Sequence, residues 1–164
     1  MYKRILVPVD GSLTSMLGLK EGIRLGKSQK ARLRVVHVVD EFVLMSVTSG
    51  SYMAGTIGDL MGELREAGRK IIENAEVLVK RSGLKVESSM FESMGSHASE
   101  LIIREAKKWR ADIIVMGTHG RRGIRRLVMG SDAEGVVSTA LVPVMLVRSN
   151  IAARRPRKRV SGRR

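Results

Sequence analysis

Four residues late in the chain have the spacing of a phosphate site built from main-chain amides. They follow the pattern Gly-x2-Gly-x9-Gly-Ser, with Gly117, Gly120, Gly130 and Ser131 at the fixed positions. Glycine lets a phosphate approach the main chain closely, and the amides at a helix N-terminus attract anions. Because the first two glycines follow an apolar run and the last two precede a helical pattern, the spacing predicts an anion site at that helix N-terminus.

Polar residues also follow two other apolar runs. Asp10, Gly11 and Ser12 come after the first run, and Asp40 and Glu41 come after the second. In open α/β sheets, ligands bind outside the carboxyl ends of the strands. We therefore expect these residues at the same edge of the sheet as the glycines. The sequence contains neither a dinucleotide fingerprint nor a complete Walker A motif.

Five segments have the pattern of β-strands. Residues 3–9, 32–39 and 111–116 are almost continuously apolar and rich in β-branched side chains, which predicts burial on both faces in a parallel sheet. Residues 84–91 alternate more and predict an edge strand. Residues 142–147 contain a proline, which cannot donate to a strand ladder and so indicates an edge or a strand start.

Apolar residues recur with a helical period between these strands. Residues 57–79 and 98–109 keep the period throughout, whereas residues 13–30 carry three glycines spaced four residues apart. That stripe has two interpretations. Either the helix lies close to the sheet or a neighbouring helix, or it is a weak helix, since each glycine costs about 1 kcal/mol relative to alanine.

The segments add up to a single-domain α/β fold of the form β-α-β-loop-α-β-α-β-α-β with right-handed crossovers. The loop, residues 40–56, has no clear period, and loops of that length are often lids or mobile segments.

Composition narrows the class of protein. The 164 residues are 43% hydrophobic, which is enough for one domain with a full core. The chain has no cysteine, which excludes disulfides, thiolate catalysis and cysteine-ligated metals, and its three histidines do not suggest a transition-metal site. No apolar run is long enough to span a membrane, and residues 1–11 lack the pattern of a signal peptide, so we expect a cytoplasmic protein.

The net charge of +14 is unevenly distributed. From Arg148 to the C-terminus there are eight basic residues and no acidic ones, so the preceding residues carry +6. Residues 150–164 are expected to form a flexible basic tail, which either binds nucleic acid or an anionic surface non-specifically or is solvated. Only 3% of the residues are aromatic, which disfavours the stacking of nucleic-acid bases.

The sequence resembles the universal stress proteins, specifically their ATP-binding branch. The resemblance rests on separated blocks that occur in the family's order: residues 5–12, 36–40, 112–120, 127–131 and 143–147. It implies one domain over residues 1–149 with a Rossmann-like, adenine nucleotide alpha hydrolase-like fold. Such a fold has an open five-stranded parallel sheet in the order 3-2-1-4-5, with helices on both faces.

The same resemblance assigns the site residues. It implies that adenine and ribose contact Pro8, Val9, Asp10 and Val38, that ribose and phosphates contact Met116, Gly117, His119 and Gly120, and that the helix N-terminus holds the phosphates with Gly130, Ser131, Asp132 and Ala133. Arg121, together with three arginines up to Arg126, either offsets the charge of Asp132 or is solvated. The implied cofactor is ATP, with or without Mg²⁺. Family members usually form homodimers through the last strand, here from Val142 to Val147.

Several of these residues also have a purely local interpretation. Ser131 and Glu134 form the sequence of a capping box, so the Ser131 hydroxyl either caps its helix or binds phosphate, or does both in turn. Asp10 could close an Asx turn and His119 could form a loop hydrogen bond. His37 is expected in the core, and His97 at a helix start.

The implied function is a nucleotide-dependent regulatory module of the stress response that acts on an unidentified protein partner. The sequence offers no convincing general base or carboxylate pair to activate water, so ATP hydrolysis is expected to be slow or not to occur. The alternatives are an ATP-using phosphotransferase or hydrolase, and a binder of nucleic acid or anionic surfaces through the basic tail.

Overall fold

The computed structural model describes residues 1–39, 54–93, 96–119 and 129–148, and strands and helices alternate along them. The strands are β1 (Arg4–Pro8), β2 (Arg32–Val39), β3 (Val86–Glu92), β4 (Ile113–Gly117) and β5 (Val144–Val147). The helices are α1 (Leu13–Gln29), α2 (Ala54–Arg81), α3 (Ala98–Trp109) and α4 (Ser131–Thr139). Every predicted strand and helix is therefore present.

The five strands form one parallel sheet in the order β3-β2-β1-β4-β5, which confirms the predicted order 3-2-1-4-5. β1 lies in the centre, where Ile5, Leu6 and Val7 have no exposed surface, as expected for a strand buried on both faces. β3 and β5 are the edge strands. Pro143 lies just before β5, where its carbonyl oxygen accepts a hydrogen bond from Ile114 N at 3.0 Å. The proline therefore marks a strand start at the edge of the sheet.

Helices cover both faces of the sheet, as predicted. On one face, Leu19 of α1 and Ala75 and Val79 of α2 pack into a buried cluster with the strands. On the other face, Ile102 of α3 and Val136 of α4 do the same. None of the helices in the described ranges is both long and apolar enough to cross a bilayer.

The three glycines of α1 let this helix lie close to the sheet. A Cβ on Gly18 would lie 3.0 Å from a main-chain nitrogen of β4, one on Gly22 would lie 2.8 Å from Val7, and one on Gly26 would lie 2.7 Å from Leu33. Contacts this short leave no room for a larger residue in a close-packed interior. The stripe therefore reflects close approach to the sheet, the first of the two interpretations considered from the sequence.

Two ion pairs that share Arg34 join β2, β3 and α3 towards the amino end of the sheet. Arg34 of β2 donates to Glu105, whose side chain is 3% exposed, and to Glu87 Oε2 at 2.5 Å. The Trp109 ring lies 5.2 Å below the Arg34 guanidinium and donates its Nε1–H to Glu87 Oε2 at 3.1 Å. The hydrogen bond from Arg34 holds the pKa of Glu87 below its ordinary value of 4.5.

Several expectations concern residues outside the described ranges and stay predictions. They are the lid over residues 40–53, Gly120, the arginines from Arg121 to Arg126, and the basic tail over residues 150–164. Residues 54–56, which were assigned to the predicted loop, belong to α2 instead, because the helix starts three residues before its apolar period becomes regular.

Candidate functional site

The first predicted site segment is the turn that follows β1. Pro8 ends the strand, and the buried Val9 donates its N–H to a β2 carbonyl oxygen at 2.8 Å. Asp10 Oδ1 accepts a hydrogen bond from Ser12 N at 3.0 Å, which is the Asx turn considered from the sequence. Gly11 between them has a φ of +80°, a conformation that favours glycine. The turn places the Asp10 carboxylate at the carboxyl end of the central strand.

A series of hydroxyl groups links this turn to the residues after β4. Ser12 is the N-cap of α1, and its Oγ accepts from Ser15 N at 3.2 Å. Thr14 Oγ1 donates its one proton to the His119 carbonyl oxygen. Because that proton is used, Ser12 is the donor in the 3.3 Å contact between Ser12 Oγ and Thr14 Oγ1. His119 Nδ1 lies 2.9 Å from Thr118 Oγ1, which is the loop hydrogen bond considered for this histidine.

The main chains of β4 and α1 are in direct contact at Gly117. A Cβ at this position would lie 2.6 Å from the Thr14 carbonyl carbon and 2.9 Å from Ser15 N. Met116, the preceding residue, is buried on the opposite face of the sheet among the residues that α3 and α4 cover. Glycine at position 117 is therefore required by the packing of α1 as well as being suited to the approach of a ligand.

The N-terminus of α4 lies against the end of β4. Gly130 is the N-cap, and its N–H donates to the Thr118 carbonyl oxygen at 2.9 Å. The first intrahelical hydrogen bond runs from Glu134 N to the Gly130 carbonyl oxygen at 2.9 Å. The N–H groups of residues 131–133 come before that bond and so have no acceptor within the helix. Ser131 and Asp132 are exposed at this end, whereas Ala133 is buried.

The capping-box interpretation of Ser131 is wrong. Ser131 is the first residue of the helix rather than its cap, and the cap position belongs to Gly130, which has no side chain to offer. The chain has extended dihedral angles at Gly130 (φ −69°, ψ 149°), where the hydrogen bond to Thr118 holds it. An anion at this helix end would therefore meet the main-chain amides directly.

β2 contributes two residues to the part of the predicted site that would contact adenine. His37 is 4% exposed, which confirms its expected place in the core, and its Nδ1 donates to the Val9 carbonyl oxygen at 2.7 Å. His37 thus fixes the main chain of a predicted adenine contact, a role that the sequence did not suggest. Val38 is half-buried on the face that α3 and α4 cover. His97 is the N-cap of α3, as expected.

Hydrogen bonds and main-chain contacts bring together three of the predicted segments: the turn at Asp10, the β4 end from Gly117 to His119, and the start of α4. The sequence analysis missed Thr14 and Thr118, which connect them. Thr118 lies inside the glycine pattern and could have been included, whereas nothing in the local sequence distinguishes Thr14.

The charges in the first turn of α4 are those of carboxylates. Asp132 and Glu134 lie in the first turn of α4, where they suit the helix dipole but repel an incoming anion. No group of three or more His, Asp or Glu side chains within the described ranges could hold a metal ion. Among the described residues, an anion at this helix end would meet main-chain amides and hydroxyl groups.

Comparisons with known proteins agree with this architecture. Universal stress protein MJ0531 of Methanocaldococcus jannaschii is 34% identical over 150 residues, which cover 90% of this chain and 83% of that protein. Universal stress protein YxiE of Bacillus subtilis is 30% identical over 151 residues, which cover 90% of this chain and 100% of that protein. The solved structure of MJ0577, also from M. jannaschii, has a TM-score of 0.76 at 28% identity and covers 91% of this chain and 97% of its own.

More distant solved structures share the fold. Two universal stress proteins, from Archaeoglobus fulgidus with dAMP (TM-score 0.62) and from Arabidopsis thaliana with AMP (TM-score 0.65), are 20% and 16% identical to this chain. They cover 89% and 92% of this chain and 98% and 94% of their own. A sequence profile of the Universal stress protein family matches residues 1–148. With that match over nine-tenths of its length and these relatives, the chain belongs to the universal stress protein family.

Proposed function

We propose that this protein binds ATP at the carboxyl end of its sheet and acts as a nucleotide-dependent regulatory module in the stress response of the cytoplasm. The observation that carries the proposal is the first turn of α4. Its three leading amides have no acceptor within the helix, its N-cap is a glycine, and two of its first three residues are exposed. Main-chain donors at the positive end of a helix are suited to phosphate.

The remainder of the site supports an adenine nucleotide rather than a free phosphate. Asp10 is half-buried at the end of β1, and we infer that its carboxylate accepts from a ribose hydroxyl. Val38, half-buried on the neighbouring strand, offers apolar surface to the adenine. The dAMP and AMP named with the two distant relatives contain the same adenine and ribose. A Mg²⁺ ion that accompanies ATP would reduce the repulsion between the triphosphate and Asp132.

We expect hydrolysis to be slow or not to occur. Among the described residues of the turns after β1 and β4, Asp10 and His119 are titratable, and both already make local hydrogen bonds, to Ser12 N and to Thr118 Oγ1. Neither arrangement gives a base directed at a water molecule beside the phosphates. The regulatory role is therefore assigned to occupancy of the site by nucleotide, sensed by a protein partner.

The proposal includes a homodimer through β5. This strand is an edge of the sheet and consists of half-buried apolar residues, and Leu141 just before it is 89% exposed. Apolar edge strands are usually covered by another chain or element. Sedimentation velocity is expected to give twice the mass of one chain, and a monomer at the concentrations used for calorimetry would contradict this part of the proposal.

The test of nucleotide binding combines two measurements. Freshly purified protein is denatured and the released small molecules are analysed, and the protein freed of nucleotide is titrated calorimetrically with ATP, with and without Mg²⁺. We expect adenine nucleotide in the first measurement and saturable heat in the second. If neither is observed, the proposed function is wrong.

A single variant tests where the phosphates bind. Ser131→Pro removes one leading amide of α4 at the first helical position, where proline is compatible with the helix. Because a hydrogen bond to a charged group contributes about 1.5–3 kcal/mol, affinity for ATP should fall about ten- to a hundredfold. Ser131→Ala, which keeps the amide, and Ala98→Pro, at the first position of α3, are the matched controls. Equal affinity of Ser131→Pro and the controls would place the phosphates elsewhere.

A further inference from the structure

A groove lies at the amino end of the sheet, opposite the proposed nucleotide site. Five of the residues that line it are basic: Lys3, Lys27, Lys30, Arg32 and Lys85. The others are the uncharged residues 31 and 82–84, and the groove has a volume of about 670 Å³. We call it the lysine groove. None of the lining residues is acidic, so the groove presents positive charge only.

The fold itself brings these cations together. Arg32 N donates to the Lys3 carbonyl oxygen at 3.0 Å, and Leu33 N donates to the Lys85 carbonyl oxygen at 3.0 Å. The starts of β1, β2 and β3 therefore lie side by side, at the usual strand separation of about 4.8 Å. Lys27 and Lys30 are added by the end of α1, which packs across the same strands.

The groove belongs to a strongly basic end of the molecule. Residues 1–4, 27–32, 80–87 and 107–112 make up this end, and they contain eleven basic and two acidic residues. Both acidic side chains already have partners. Glu87 pairs with Arg34, with Arg32 3.6 Å away, and the other, Asp112, accepts from Lys3 N at 2.7 Å and from the next amide at 2.8 Å.

The four lysines of the groove are not explained by ion pairing. In the described part of the chain none of them forms an ion pair with a carboxylate. A basic residue in the last turn of a helix is favoured by the helix dipole, which accounts for Lys27. Lys3 and Lys85 lie at strand starts, where no such effect acts. Gathering like charges in one concave surface costs energy unless an anion binds there.

We propose that the lysine groove binds the phosphodiester backbone of a nucleic acid without reading its bases. Lysine ammonium groups bind phosphate as point charges, and cations on several walls of one groove suit a chain of phosphates. The only large apolar side chain in the lining, Leu84, is half-buried, so nothing in the lining stacks bases or inserts into a bilayer. The groove is separate from the nucleotide site and from the tail beyond residue 149.

The experiment compares full-length variants by fluorescence anisotropy with a 20-nucleotide single-stranded DNA of mixed sequence. The groove variant is K3Q/K27Q/K85Q, and the control K20Q/K70Q/R104Q removes the same charge from exposed positions on α1, α2 and α3. In a third variant, the five basic residues from Arg154 to Arg159 are replaced by Gln. Thermal unfolding and ATP titration of every chain establish that the fold and the nucleotide site are intact.

We expect the groove variant to lose about tenfold or more in affinity for the DNA at low salt. The slope of the logarithm of its binding constant against the logarithm of the salt concentration should decrease in magnitude by about 2, because each of three phosphate contacts to a single strand contributes about 0.7. The control should keep the salt slope of the wild type. The third variant should still bind the DNA, because its groove lysines are intact. Equal slopes in the groove variant and the control would overturn the proposal. It would also be overturned if only the tail replacements abolish binding, or if the groove variant loses affinity for phosphatidylserine vesicles but not for DNA.

Discussion

The two ends of the sheet use opposite chemistry. At the carboxyl end, glycine, serine and threonine residues let main-chain atoms touch one another, as Gly117 does with Thr14, and the proposed phosphate ligands are main-chain amides. At the amino end, arginines and lysines predominate, and long charged side chains do the binding, as in the contacts of Arg34 with Glu87 and Glu105. The recognition proposed at the first end would therefore depend on main-chain geometry, and that proposed at the second end on charge.

The largest effect expected from disturbing this arrangement is at Arg34. Arg34→Met leaves the Glu105 carboxylate buried without its guanidinium, and breaking a buried pair in this way costs about 3–5 kcal/mol. Urea unfolding measures the loss. Arg65→Met is the matched control, because Arg65 also holds a carboxylate, that of Glu92 at 2.8 Å, but on the surface.

The control should lose only a small part of what Arg34→Met loses, since exposed pairs contribute little. If the two variants lose the same free energy of unfolding, the amino end is not held together by its buried charges, and the contrast between the two ends disappears.

The next largest effect is expected at the carboxyl end, where close packing of the main chain matters more than charge. Gly117→Ala places a methyl group 2.6 Å from the Thr14 carbonyl carbon, and overpacking of this kind costs about 1–3 kcal/mol. Because α1 must shift, ATP affinity should fall as well. Gly62→Ala, in the exposed part of α2 with no atom near the new Cβ, should instead stabilise the protein by up to about 1 kcal/mol. A neutral Gly117→Ala would show that the contact of β4 with α1 tolerates a side chain.

The smallest effect is the pH dependence of the Arg34–Glu87 pair at the amino end. Arg34 holds the pKa of Glu87 below 4.5, so the Glu87 carboxylate contributes stability that is fully present above about pH 4.5 and lost as the pH falls through the lowered pKa. Wild type and Glu87→Gln should differ in free energy of unfolding at pH 7 and converge as the pH falls below 4. A difference that is constant over this range would mean that the carboxylate charge is not what matters.

Most of the fold could be predicted because its strands are buried on both faces. Residues 32–39 contain four valines and a leucine, and the predicted and observed bounds of β2 coincide. The strand order needed more than periodicity. It came from the resemblance, since apolar runs alone do not say which strand lies beside which.

The candidate site was harder to predict because several of its features exist only in the folded chain. The Ser-x-x-Glu sequence at Ser131 is a valid capping box in isolation, but the Thr118 carbonyl oxygen holds the preceding glycine and moves the helix start by one residue. Thr14 acquires its role only through a contact with His119, 105 residues later in the chain. Likewise, the sequence cannot show what a glycine stripe lies against.

The glycine stripe has a consequence for how α1 links the two ends of the sheet. α1 has its N-cap, Ser12, beside the proposed nucleotide site and its C-cap, Lys30, in the lysine groove, and the 17 residues between the caps form a rod about 25 Å long. Gly18 packs on the main chain of β4, and Gly22 and Gly26 pack on the side chains of Val7 and Leu33. Because these contacts are close at three successive turns, the rod cannot slide without moving the groups it touches. A ligand that shifted α1 as a rigid body at one end would therefore also shift it at the other, and a coupling free energy of this kind would act equally in both directions.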